Sequence, residues 1–307
     1  MKNIAVNKGK KPKSLSQFMD NETVAGYVFA LPFIVGFLFL MAAPMALSFY
    51  YSFTEFDMLS TPTWVGLDNY VRMMNDRRFT GSVRVTFRFV FLSVPVRLVF
   101  GLMLAYVLTR KAAGVHFYRS VYYLPTLIGG SIAVALVWGQ LFQRQGVVNV
   151  LFNAVGLEGV NWFGNPNTAL YPLILMSVWQ FGSSMLIFAA GLKDIPETYY
   201  EAAEIDGANK WHVFFRITLP CLSPIILYNL VMQTIAAFMT FTQAFIITGG
   251  GPANATNFLA LYIYNHAFNW FNMGYASAMS WVLLMMVAVS TAIILKTSKK
   301  WTFYANE

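Results

Sequence analysis

Hydrophobic and polar positions follow one another along this chain in long blocks, not at the period of a surface helix or a half-buried strand. Apolar stretches lie at about residues 27–53, 89–108, 121–142, 170–192, 221–248 and 273–295. Each reaches the roughly 20 residues that a helix needs to cross hydrocarbon. Five of the six contain no charged residue, and the second contains one, Arg97. Helices that are apolar all round belong inside a bilayer. The pattern therefore predicts an all-α integral membrane protein with six transmembrane helices. Prolines inside or at the ends of these stretches (Pro32, Pro44, Pro95, Pro125, Pro172 and Pro224) predict kinks, which membrane helices tolerate. Some of them could instead mark bends around a central cavity.

The polar stretch between the fourth and fifth spans, residues 193–220, is more structured than a connecting loop requires. Asp194 is placed as an N-cap with Pro196 in the first turn of a short helix carrying Glu197, Glu201 and Glu204. Gly207 then stands at a C′ position. Asn209 can cap a second short helix bearing Trp211, Val213, Phe214 and Phe215, which Pro220 is expected to stop. A compact helix–turn–helix on the membrane surface follows, with carboxylates and aromatic rings both displayed. Elsewhere, residues 54–81 read as a turn and a short helix, and residues 144–168 are broken by Gly146, Gly156, Gly159, Gly164 and Pro166. Gly249-Gly250-Gly251-Pro252 ends the fifth span sharply, and the aromatic segment 258–271 is expected to re-enter or lie along the outer interface.

Composition agrees with the pattern: 57% of the 307 residues are hydrophobic and 11% are charged, where soluble domains carry about a quarter charged. Lysine and arginine set the orientation. The amino tail, the loop after span two (Arg110, Lys111, Arg119), the 193–220 loop and the carboxyl tail hold 14 of the 21 basic residues. With six spans all four segments face one side, so both termini and the 193–220 loop are expected to be cytoplasmic. The organisation expected is a cytoplasmic tail over 1–24, a membrane domain over 25–296 and a second cytoplasmic tail over 297–307. The lysine-rich residues 1–13 suit a disordered, lipid-facing tail. The net charge of +8 is thus mainly an orientation signal, and nucleic acid is not an expected partner. The first apolar run is too long for a cleavable signal peptide. One cysteine, Cys221, permits no internal disulfide.

Catalytic chemistry is not signalled. The chain has no G-x-x-x-x-G-K-[ST] phosphate loop, no H-E-x-x-H and no acidic residue inside an apolar stretch. His116, His212 and His266 have no metal-ligand spacing. No enzyme, metal or cofactor is therefore expected in this chain. Arg97 is the sharpest candidate, because a charge in mid-span must face protein or a water-filled cavity. It either hydrogen-bonds carbonyls of a neighbouring span or meets a carboxylate or phosphate on a substrate. Thr240, Thr242 and Gln243, with Gln233 a weaker choice, can meet substrate hydroxyls near mid-membrane or serve helix packing. Asn269 and Trp270 are candidates for contact with an extramembrane partner.

The stretch Glu201-Ala202-Ala203-Glu204-Ile205-Asp206-Gly207, followed after nine residues by Ile217-Thr218-Leu219-Pro220, resembles the E-A-A-x-x-x-G signature of ABC-importer permeases. Segments 64–70, 248–256, 262–264 and 274–280 narrow that likeness to the carbohydrate-uptake class, near the larger permease subunit of the maltose transporter. The resemblance implies a coupling helix seated in an ATPase cleft, formed by Glu201, Ala202, Ala203, Asp206, Gly207, Ile217, Leu219 and Pro220. It implies a second permease subunit, two ATPase subunits that bind ATP and Mg, and an extracytoplasmic solute-binding protein that delivers the sugar. Other readings that stay open are a permease for a non-sugar solute such as glycerol phosphate, and a channel or scaffold without ATP coupling.

Overall fold

The computed structural model describes residues 22–109 and 114–303. Most of the amino-terminal tail, Arg110 and Lys111, and the last four residues lie outside them. The described chain is mostly helical. It forms two compact units, one ending at Tyr51 and the other beginning at Ser52.

The first unit is a single apolar helix, α1 (Gly26–Tyr51). It passes through Pro44 by widening into a π-turn over Leu38–Ala42, where the Ala43 N–H donates to the Leu38 carbonyl. The wider turn relieves the clash between a proline ring and the carbonyl four residues earlier.

The second unit opens with a short antiparallel hairpin, β1 (Thr54–Glu55) and β2 (Thr63–Trp64), with Thr54 opposite Trp64. It continues through α2 (Asp68–Asn75) into α3 (Arg77–Leu108), an unbroken helix of 32 residues. This helix starts twelve residues before the apolar stretch that announced it, because Arg77, Arg78, Arg84 and Arg88 stand on helix that continues beyond the apolar part. Next come α4 (Val115–Ile128), α5 (Ile132–Leu141) and α6 (Val147–Ala154), then α7 (Leu170–Trp179) and α8 (Gly182–Asp194). The chain ends with α9 (Glu197–Ile205), α10 (Lys210–Val213), α11 (Ser223–Phe238), α12 (Thr242–Ile247), α13 (Leu259–Tyr264) and α14 (Met273–Ser298).

Among the described residues, four helical segments are long and apolar enough to cross a membrane: Gly26–Tyr51, Arg77–Leu108, Ser223–Ile247 and Met273–Ser298. Two further stretches qualify only as bent pairs, α4 with α5 at 100° and α7 with α8 at 42°. The continuous helix expected over 121–142 is therefore broken. Gly129 and Gly130 interrupt it, and the Ser131 hydroxyl then caps α5 by accepting from the Val134 N–H.

The core forms around α3, which packs against α7, α8 and α11 through Phe89, Val94, Leu98, Leu173, Met185, Phe188 and Phe238. Gly101 lets α3 approach α8 closely, since a Cβ there would already touch the Met185 nitrogen and Ser184 Cβ at 3.4 Å.

The start of α3 is tied to two distant elements through Asp76. One carboxylate oxygen caps α3 by accepting from the Arg78 N–H at 2.8 Å. The other accepts from the hydroxyls of Tyr262 on α13 (2.7 Å) and Tyr275 on α14 (2.9 Å). Burial pushes the Asp76 carboxyl up, but these hydrogen bonds outweigh it and hold the group below the ordinary aspartate value. His266 sits beside the pair, 5% exposed and ringed by Tyr262, Trp270 and Tyr275. The segment 258–271, in which it lies, packs through Leu259, Leu261 and Tyr262 into this core.

Two predictions follow from this packing. Gly274 starts α14, and its N–H donates to the Phe56 carbonyl; a Cβ there would run into the Thr54 carbonyl oxygen. Gly274→Ala should lower stability by about 1–3 kcal/mol, the usual cost of overpacking, read as a lower melting temperature in detergent. His266 carries the second prediction. Burial, helped by Arg72, lowers its pKa from 6.5 to about 4. The unfolded chain therefore binds the proton first as pH falls. Stability should be full above pH 6.5 and fall as the pH drops towards 4. Thermal melts across that window should show a weaker slope in His266→Gln.

Candidate functional site

Two regions carry the residues that the sequence singles out. The first is the polar connection between α8 and α11. Asp194 is the last residue of α8 and does not cap α9; the N-cap is Pro196, which makes no side-chain cap bond. Ile195, preceding a proline, is held extended and separates the two helices.

At the other end α9 closes as expected. The Gly207 N–H donates to the Glu204 carbonyl (3.0 Å) and the Ala208 N–H to the Ala203 carbonyl (2.9 Å), the bond pair of a Schellman cap. Gly207 takes φ +70°, the left-handed region where glycine is unstrained, and the space around it is open. Asn209 then caps α10, its side-chain oxygen accepting from the His212 N–H at 2.8 Å.

Pro220 does not stop the second helix. A π-turn over Phe214–Thr218 widens the coil before it, and helical bonding continues with the Leu222 N–H donating to the Thr218 carbonyl. A hydrogen bond of 3.2 Å joins the Tyr200 and Thr218 hydroxyls across the two halves.

Ala202, Ala203, Asp206, Gly207, Ile217 and Pro220 all line one cavity of about 820 Å³, together with Phe303. Glu201 and Leu219 stand outside it. Ile205 (87% exposed) and Trp211 (74% exposed) stand out from the tip. Large apolar side chains displayed on a polar connection mark an interaction surface.

The second region is a cavity of about 440 Å³ among α3, α7, α8 and α11–α12. The break between α7 and α8 frees the Gln180 carbonyl from helical bonding. It accepts from the Arg97 guanidinium and, at 3.3 Å, from the Thr126 hydroxyl. The Gln180 side chain donates to the Gly129 carbonyl, so the two broken pairs brace each other. Arg97 Nε has no partner among the described residues.

Opposite Arg97, α11 ends at Phe238 and the chain opens before α12 starts at Thr242. Thr240, Thr242 and Gln243 fall at this opening, and all three line the cavity with Arg97. Gln233, 8% exposed, donates to the Ser184 hydroxyl at 2.9 Å and leaves its own oxygen without a partner among the described residues.

The five mid-span residues that sequence reasoning named (Arg97, Gln233, Thr240, Thr242 and Gln243) thus all line one cavity. It missed Ser177, Gln180 and Ser183, which line the same space. The signal was available, since the run Gln180-Phe181-Gly182-Ser183-Ser184 is a polar interruption of an apolar stretch.

Comparison with known proteins bears on both regions. Residues 70–297 match the family described as binding-protein-dependent transport system inner membrane component. The chain is 50% identical over 296 residues to the probable ABC transporter permease protein YesP of Bacillus subtilis (strain 168), covering 95% of this chain and 96% of that protein. It is 32% identical to the trehalose/maltose transport system permease protein MalF of Thermococcus litoralis, over 92% of this chain and 97% of that one. Its fold is shared, at TM-score 0.78 and 23% identity, with a chain of a bacterial ABC transporter involved in the import of the acidic polysaccharide alginate, covering 94% of this chain and 99% of that one. The chain belongs to the family of binding-protein-dependent transport system inner membrane components, the permeases of ABC transporters.

Proposed function

We propose that this chain is the permease subunit of an ATP-driven importer that carries an acidic oligosaccharide through the Arg97 cavity. The observation that carries the reading is the cavity itself. A guanidinium stands in mid-span among hydroxyl and amide groups, with one hydrogen bond among the described residues for its five N–H donors to share, in a space within the ~300–1,000 Å³ usual for small-molecule sites. Arginine pairs with a carboxylate, and hydroxyls and amides pair with sugar hydroxyls. The sugar permeases among the relatives and the fold shared with an alginate importer support the same reading.

In this reading the chain spans the membrane six times between residues 25 and 296, with each bent pair one span and both termini in the cytoplasm. The 193–220 connection is the coupling element, seated in an ATPase cleft through Ile205 and Trp211, with Glu201 facing a basic ATPase residue. A second permease subunit completes the pathway. Two ATPase subunits bind ATP and Mg, and a solute-binding protein delivers the substrate. Closure of the ATPase dimer draws the coupling elements together and switches the cavity between its two openings.

The test is reconstitution of the four components in proteoliposomes. ATPase stimulation should be strong with an acidic oligosaccharide and weak with a neutral one of equal length. Arg97→Gln, which keeps an amide donor for the Gln180 carbonyl, should reduce stimulation about tenfold or more. That is the factor expected from losing a charge-assisted bond of about 1.5–3 kcal/mol. Full stimulation of the variant would return Arg97 to a bracing role. Stimulation by glycerol phosphate alone would change the substrate class.

Gly207→Asp tests the coupling element. Open space surrounds the residue, and aspartate tolerates the left-handed region better than most side chains. The variant should insert and assemble normally yet show no substrate-stimulated ATPase activity. Native activity would exclude docking at this turn.

A further inference from the structure

A second polar hollow, of about 550 Å³, lies at the junction of α2, the start of α3 and the turn between α13 and α14. It shares no residue with the Arg97 cavity. Nineteen residues of α3 separate Arg78 from Arg97, about 28 Å along the helix axis at 1.5 Å per residue. Arg72 and Arg78 flank the hollow and are exposed. The Arg72 guanidinium is held 4.6 Å above the Tyr275 ring, which fixes its direction.

Asp76, the carboxylate in this hollow, is already occupied on both oxygens by Arg78 N–H, Tyr262 and Tyr275. The Asp76 charge offsets one of the two guanidinium groups, which leaves the lining of the hollow with one net positive charge. Trp270, 45% exposed, offers an indole surface beside them. His266, which also lines the hollow, has neither ring nitrogen partnered among the described residues. Asn75 and Asn272 add amides at the rim.

We infer that this hollow is a second carbohydrate site, which takes one acidic sugar residue on the outer face before translocation. The indole covers the apolar face of the pyranose, Arg72 and Arg78 take its carboxylate, and the amides take ring hydroxyls. Arginine suits this task because its planar fork matches a carboxylate. The outer placement and the acidic substrate class rest on the function proposed above.

The experiment uses the permease–ATPase complex in nanodiscs, without the binding protein, and titrates alginate pentasaccharide and maltopentaose by calorimetry. The pentasaccharide should bind, and maltopentaose should bind at least tenfold more weakly. Arg78→Gln and Trp270→Ala should each weaken pentasaccharide binding about tenfold or more. Trp270→Phe should restore most of it. In Arg97→Gln, where the mid-membrane cavity is weakened, the binding that remains should still fall about tenfold when Arg78→Gln is added.

Loss of all binding in Arg97→Gln, with none left for Arg78→Gln to remove, would place the binding in the mid-membrane cavity and overturn the proposal. So would unchanged affinity in Arg78→Gln and Trp270→Ala, or no binding by the native complex. If those two variants bind sugar normally but lose only stimulation by the binding protein, the surface is a protein-docking face and the sugar site is excluded. Binding here by a native complex that fails to transport the pentasaccharide would sink the transport reading alone and leave this site standing.

Discussion

A carbonyl released inside hydrocarbon has to find a donor, because no water is there to supply one. The Gln180 carbonyl, set free where α7 bends into α8, finds two: the Arg97 guanidinium and the Thr126 hydroxyl. This exchange lets a span be broken without leaving an orphaned backbone group. It also explains why an arginine can stand in the middle of α3. The charge is held by a carbonyl dipole, and Nε has no partner among the described residues. The polar cavity exists because the helix is broken, and the break is tolerable because the arginine is present.

Proline is handled by a second device, used in both units. In each case a π-turn precedes the ring, Leu38–Ala42 before Pro44 and Phe214–Thr218 before Pro220. Widening the coil by one residue moves the offending carbonyl aside, and the chain stays helical past the proline. In the 193–220 connection this keeps the second short helix continuous with the approach to α11. The tip is then attached to the membrane part through helical bonding, and Phe303, whose N–H donates to the Ser223 hydroxyl, lines its cavity.

Much of this was legible in the sequence, and the failures have physical causes. Apolar block length located every long helix, because hydrocarbon imposes one requirement on them all. Gly207 and Asn209 were readable as a cap pair, since left-handed geometry and N-capping each demand particular residues. Asp194 misled because its side chain suits a cap, yet α8 still had helical bonds to make through it. Pro220 misled because a π-turn leaves no compositional mark. The bend at Gly129-Gly130 was masked by the apolar residues around it, whereas the polar run from Gln180 to Ser184 marked its bend openly. The tie of Asp76 to Tyr262 and Tyr275 joins residues 186 and 199 positions apart, beyond the reach of any local pattern.

Helix α3 gives these separate features a common mechanical frame. Asp76 is fastened at its head, Arg97 stands near its middle, and at its foot the Leu108 carbonyl accepts from Arg119. At 1.5 Å per residue its 32 residues make a beam about 48 Å long. An unbroken beam transmits axial load. A push at the foot reaches the guanidinium and the Asp76 fastening in the same stroke, and anything that clamps the head resists motion at the foot.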